Sequence, residues 1–78
     1  MILKNKKFII SAAADGIGFS ISKLIVENGG MVYLTDIDKK NINKIKSNKK
    51  FKNKIFATQL DANNYEYVKK YFLSLTKL

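Results

Sequence analysis

The stretch Ser11-Ala12-Ala13-Ala14-Asp15-Gly16-Ile17-Gly18 decides how this chain is read. It follows a strand-like segment, Lys7 to Ala12, whose Phe8-Ile9-Ile10 run is apolar on both faces as a buried parallel strand requires. It leads into a helical segment, Ile17 to Asn28, in which Ile17, Ile21, Leu24 and Ile25 fall at i, i+4, i+7 and i+8. A helix N-terminus leaves backbone N–H groups unpaired and carries about half a positive charge, so it attracts a pyrophosphate. The anion approaches only if the turn lacks bulky side chains. Gly16 and Gly18 leave that space, Ala12, Ala13 and Ala14 keep the rest of the turn low, and Gly18 lets the helix lie close on a sheet. Two glycines alone make no more than a tight strand-to-helix turn. The downstream segments of the chain give them meaning.

Gly29 and Gly30 stop the first helix, Gly29 suiting the left-handed position just past its end. Met31 to Asp36 (MVYLTD) reads as a second apolar strand that ends in an acid eighteen residues beyond Gly18. A carboxylate there accepts hydrogen bonds from both hydroxyls of an adenosine ribose and repels the 2′-phosphate of NADP, so it points to NAD; Lys39 and Lys40 soften that exclusion. Asp38 is the better cap for the next helix, which leaves Asp36 free for the ribose. That helix carries a sparse stripe, Ile42 and Ile45. The stretch from Lys39 to Lys54 holds eight Lys and four Asn and reads as a weak helix followed by a solvated loop. Ile55 to Leu60 (IFATQL) is a third strand, followed by Asp61. Asn63 caps a last helix with Glu66 at its N3 position, and Val68, Tyr71, Phe72 and Leu75 form its buried face. The order β-α-β-α-β-α implies parallel strands joined by right-handed crossovers, in the spatial order 3-2-1. The expected fold class is therefore α/β, one mononucleotide-binding half of a Rossmann-type doubly wound sheet, with residues 1–78 forming part of a single domain.

Composition narrows the function. The chain has no Cys and no His, and its four Asp and two Glu are scattered, so disulfides, thiolate chemistry and a metal site are not expected. No apolar run approaches the ~20 residues of a membrane span, and Met1 to Ser11 lacks the apolar length of a secretory signal. A cytoplasmic protein with no membrane partner is the expectation. All fifteen basic residues are Lys, and Lys, Asn and Ile supply 33 of the 78 residues. Sequence-reading and phosphate-gripping surfaces favour Arg, so the net charge of +9 is read as a solubility term and not as a specific nucleic-acid site.

These motifs resemble the Thr-Gly-x-x-x-Gly-x-Gly turn of the short-chain dehydrogenase/reductase superfamily. Ser11 stands for the Thr and Ala12 for the first Gly, while Gly16, Ile17 and Gly18 match outright. The Ala-Ala-Ala-x-Gly-Ile-Gly form followed by Asp36 is similar to a subgroup that includes the cytosolic type-2 3-hydroxybutyrate dehydrogenases. Asp61 matches the superfamily's Asp-Val element, with Ala62 replacing the Val. The resemblance implies that Asp15, Gly16 and Ile17 line the pyrophosphate of NAD, Asp36 and Ile37 the ribose and adenine, and Asp61 and Ala62 the far adenine edge. Ala12 adds a methyl where the backbone nears the cofactor. Asp15 places a negative charge near a dianion unless its carboxylate turns aside to cap the helix, which is the expectation.

The resemblance further implies hydride transfer to or from a small secondary alcohol or ketone by a parent that forms homo-oligomers. The superfamily's catalytic Ser, Tyr and Lys, and its Asn-Asn-Ala-Gly element, come later than this sequence reaches, so the chain is expected to be the front part of such an enzyme, with no catalytic residue of its own. Tyr65-Glu-Tyr-Val-Lys69 has the Tyr-x-x-x-Lys spacing but comes after the third strand, the wrong place, and Asn63-Asn64 lacks the following Ala-Gly. Two other classes remain open. One is a non-catalytic nucleotide-binding module or degenerate fragment. The other is a basic domain that binds polyanions through Lys39–Lys54.

Overall fold

The computed structural model of the chain describes residues 2–11 and 14–77. Strand β1 spans Lys7–Ile10, helix α1 Gly16–Glu27, β2 Met31–Asp36, α2 Lys39–Lys46, β3 Ile55–Gln59 and α3 Tyr65–Leu75, with a 3-10 turn at Lys49–Phe51. The three strands form one sheet in the order β1-β2-β3, and both pairings are parallel. Phe8 lies opposite Val32, and Val32 opposite Ile55. This is the expected Rossmann-type half sheet.

The alternation of each strand sorts its side chains between two faces. On one face Val32, Leu34, Ile55 and Ala57 meet Ile25 of α1, Ile42 and Ile45 of α2, and Phe51, forming the buried core. The sparse stripe of α2 is thus sufficient: Ile42 and Ile45 are its two buried residues, and Asp38 caps it by accepting the Lys40 and Asn41 N–H groups. The other face carries Ile9, Tyr33 and Phe56 in one row across the sheet. Tyr33 and Phe56 stack with centroids 5.1 Å apart. Helix α3 lies on this side, its Tyr71 set beside Thr58 and Tyr33.

Three details differ from the sequence-based expectation. The sheet takes a different side of α1 from the one the apolar spacing marks. Ile17, Ile21 and Leu24 are exposed, whereas Ser22, with 0% of its surface exposed, and Ile25 are buried. Gly18, Ser22 and Ile25 sit at i, i+4 and i+7, and small residues on that line let the helix axis approach the sheet. The cost of burying the Ser22 hydroxyl is offset because it donates to the Gly18 carbonyl at 2.9 Å. The cap of α3 is Asn64, whose side chain accepts the Tyr67 N–H at 3.2 Å, and not Asn63. Glu66 therefore stands at N2 and closes no capping box. Finally, Phe72 is exposed, leaving Val68, Tyr71 and Leu75 half-buried.

The end of α1 agrees with the expectation. Gly29 has φ +94°, its N–H donates to the Val26 carbonyl, and the Gly30 N–H donates to the Ile25 carbonyl at 2.9 Å. This is a Schellman ending, and it turns the chain directly into β2. Gly30 is required for a second reason: a Cβ there would lie 2.6 Å from Ile25 Cγ2 and 3.3 Å from Phe8 Cε1. Gly30→Ala is expected to cost about 1–3 kcal/mol through overpacking. Thermal and urea denaturation should register the loss as a lower melting point and midpoint. An unchanged midpoint would show that Ile25 swings aside freely.

Candidate functional site at the C-terminal rim of the sheet

Parallel strands point their C-terminal ends the same way, so the loops after β1, β2 and β3 meet on one rim. The glycine turn, Asp36-Ile37 and Asp61-Ala62 are those three loops. Of the residues expected to face a cofactor, Ala12 lies outside the described residues. Ala14 is buried, at 7% exposure, and joins the core. Asp15 is the N-cap of α1, with extended backbone, and its Oδ1 accepts the Gly16 N–H at 2.8 Å. The carboxylate therefore caps the helix as expected, and in doing so occupies one of the N–H groups an incoming anion would use. Gly16 has φ +61°, and a Cβ there would meet nothing within 4 Å. The backbone conformation, not crowding, calls for glycine at this position. Ile17 is 80% exposed at the mouth of the turn, and Gly18 is half-buried beneath it.

Asp36 does not cap α2, as expected, and its carboxylate accepts two backbone N–H groups. Its Oδ2 accepts the Ala14 N–H at 3.1 Å, and its Oδ1 accepts the Asp38 N–H at 2.9 Å. The first bond spans 22 residues and ties the end of β2 to the glycine turn. The backbone carbonyl of Asp36 also accepts the Leu60 N–H at 2.9 Å, and Gln59 Nε2 donates to the Ile37 carbonyl. All three loops of the rim are thus connected by hydrogen bonds.

A cavity of about 200 Å³ lies between the second and third loops, lined by Asp36, Ile37, Leu60, Asp61, Ala62 and Asn63. It brings together four of the expected site residues. Ile37, Leu60 and Ala62 give it apolar walls, and Asp61 supplies a carboxylate whose Oδ1 already accepts the Asn63 N–H at 2.9 Å. A larger cavity of about 480 Å³ shares Ile37, Leu60 and Asp61 and runs on between β3 and α3. Its further walls include Thr58, Tyr67, Lys70 and Tyr71; of these, sequence spacing marks Tyr71 alone, and as a buried-face residue, not a site residue. The Tyr65–Lys69 pair takes no part in either cavity; Tyr65 is 72% exposed in the first turn of α3.

The sequence matches the short chain dehydrogenase family over residues 6–77. The chain belongs to the short-chain dehydrogenase family. Family members are oxidoreductases that bind a nicotinamide dinucleotide and act on small molecules. No curated protein matches the sequence. Among solved structures, 2-keto-3-deoxy-D-gluconate dehydrogenase from Streptococcus agalactiae superposes with a TM-score of 0.75 at 28% identity, covering 87% of this chain and 26% of that one. The crystal structure of gox2181 shares the fold, with a TM-score of 0.83 at 22% identity over 96% of this chain and 30% of that one. This short-chain dehydrogenase chain thus spans less than a third of these structures' lengths. Among its described residues no helix is long and apolar enough to cross a membrane.

Tyr71 lies beside the rim, in the wall of the larger cavity. Burial raises its pKa above 10.0, Tyr33 nearby adds to the rise, and the Thr58 side chain only partly counters it. Its buried hydroxyl has no hydrogen-bond partner of good geometry. A phenol whose folded pKa is raised contributes stability that is complete below pH 10 and is lost as pH rises through the folded value. Tyr71→Phe removes both the orphaned hydroxyl and that alkaline loss. It is expected to raise stability by ~1 kcal/mol at neutral pH and to flatten the decline above pH 10, as followed by urea denaturation across pH. A less stable Phe variant would mean that the hydroxyl holds a bound water or another partner.

Proposed function

We propose that this chain is the N-terminal cofactor-binding part of an NAD-dependent short-chain oxidoreductase acting on a secondary alcohol or ketone. The observation that carries the reading is the contact of Asp36 with the glycine turn. A dinucleotide needs a phosphate-binding turn and a ribose-reading acceptor side by side, and the Ala14–Asp36 hydrogen bond, which holds Asp36 beside the glycine turn, supports that reading. In this reading the Ile17 and Gly18 N–H groups and the α1 dipole hold the pyrophosphate, with Gly16 supplying the left-handed turn. Ala14, small and buried, keeps the floor of the turn low. Asp36 accepts from the ribose hydroxyls. Ile37 and Ala62 flank the adenine, and Asp61 accepts from its amino group. The apolar walls of the 200 Å³ cavity, with a carboxylate at one side, suit a flat base bearing an amino donor.

The nicotinamide supplies hydride transfer when bound, and the groups that move the proton belong to the rest of a full-length enzyme. The carboxylate at Asp36 favours NAD over NADP, although Lys39 and Lys40 stand exposed just beyond it. The Ala-Ala-Ala-Asp-Gly-Ile-Gly turn supports a place near the type-2 3-hydroxybutyrate dehydrogenase-like subgroup, and the full-length protein is proposed to be a cytoplasmic homo-oligomer.

NAD titrated into the chain is expected to shift the backbone amide resonances of Gly16, Ile17, Gly18, Asp36, Ile37 and Asp61. NADP should bind more weakly. Asp36→Ala is expected to weaken NAD at least about tenfold, the loss of hydrogen bonds to a charged acceptor. Shifts confined to Lys39–Lys54, equal for NAD and any polyanion and abolished by salt, would replace this reading with the polyanion-binding one.

A further inference from the structure

We propose that Asp36 is a positioning residue, its carboxylate acting as a resident anion that sets the geometry of the glycine turn before any cofactor arrives. The inference builds on the cofactor reading above but concerns the ligand-free protein. A turn that must expose N–H groups to an anion has few internal restraints, because the N–H groups it presents are left without partners. Here Gly16 adopts a left-handed conformation with open space where a Cβ would lie, and Asp15 restrains only its own neighbour. Among the described residues a tertiary restraint is the bond from the Ala14 N–H to Asp36 Oδ2, made across 22 residues to a strand whose Val32 and Leu34 are fully buried. The other oxygen, Oδ1, is held by the Asp38 N–H, so the carboxylate cannot rotate away without losing both bonds.

The valences allow a second role. An ionised carboxylate offers about four acceptor positions, of which two are occupied by these N–H groups. Two remain for a ribose diol. Asp36 then reads the ribose with a carboxylate already oriented, and it orients the turn that grips the phosphates. The two halves of a dinucleotide's adenosine diphosphate are recognised through one side chain. Its loss must therefore weaken even a ligand that has no hydroxyls for it to read.

The test uses Asp36→Ala, which removes both acceptor oxygens and so releases both N–H groups. In the ligand-free chain, amide hydrogen exchange at Ala14 and Asp38 is expected to accelerate about 10- to 100-fold, the range for hydrogen bonds to a charged acceptor. Val32 and Leu34 amides should exchange at wild-type rates, separating a local release from general destabilisation. Unchanged exchange at Ala14 overturns the proposal, and so does acceleration spread equally to Val32 and Leu34. An NAD analogue with 2′,3′-dideoxyadenosine gives the second reading. Asp36→Ala should weaken its binding too, although the substitution removes a negative charge; equal or tighter binding overturns the proposal. Local release in the exchange experiment, in a chain that binds neither NAD nor the analogue, would leave the positioning role standing and sink the cofactor reading alone.

Discussion

Strand β2 is hydrogen-bonded on both sides by parallel neighbours, and a parallel neighbour is reached only by carrying the chain back across the sheet. That constraint orders the rest of the structure. It requires α1 between β1 and β2, and α2 between β2 and β3. Right-handed crossovers then place both helices on one face, where they bury Val32 and Leu34. It also forces all three strands to end on the same side. Three short loops, each with its own polar residues, are brought to one rim because the strands are parallel and for no other reason. A site made of Ala14, Asp36 and Asp61, residues far apart in sequence, is a consequence of strand direction before any side-chain chemistry is considered.

Elements dominated by local physics were legible in the sequence. β2 runs over the expected Met31–Asp36, since its apolar run is bounded by Gly30 and Asp36. Asp38 caps α2, and Gly29 closes α1, because caps depend on a few adjacent residues. The buried side of α1 was not legible. Ile17, Ile21 and Leu24 outweigh Gly18 and Ser22 on any scale of hydrophobicity, yet closeness of approach to the sheet selects the small residues. Asn63 and Asn64 are chemically identical and adjacent, so spacing alone does not choose between them; the Asn63 N–H is engaged by Asp61, which leaves the cap to Asn64. At the site, the residue types and their order were readable, but the Ala14–Asp36 bond was not. It exists only once β1 and β2 pair in register, Ile10 opposite Leu34.

The two acids nearest the glycine turn have opposite relations to a bound dianion, and the structure resolves both in the same manner. Each is held by backbone N–H groups. Asp15, at the helix end, spends an oxygen on the Gly16 N–H, which stabilises α1 but places a charge where phosphate would come. Asp36 spends both oxygens on N–H groups that lie outside the helix, at Ala14 and Asp38. Asp15 is exposed, so its cap bond could give way to a ligand's with little disturbance elsewhere. Displacing Asp36 would instead undo the tie between β2 and the turn. One charge is therefore on an exposed side chain at the helix end, and the other is anchored to the central strand. That division explains how a strongly Lys-bearing chain keeps two carboxylates at the one place where an anion is expected to bind.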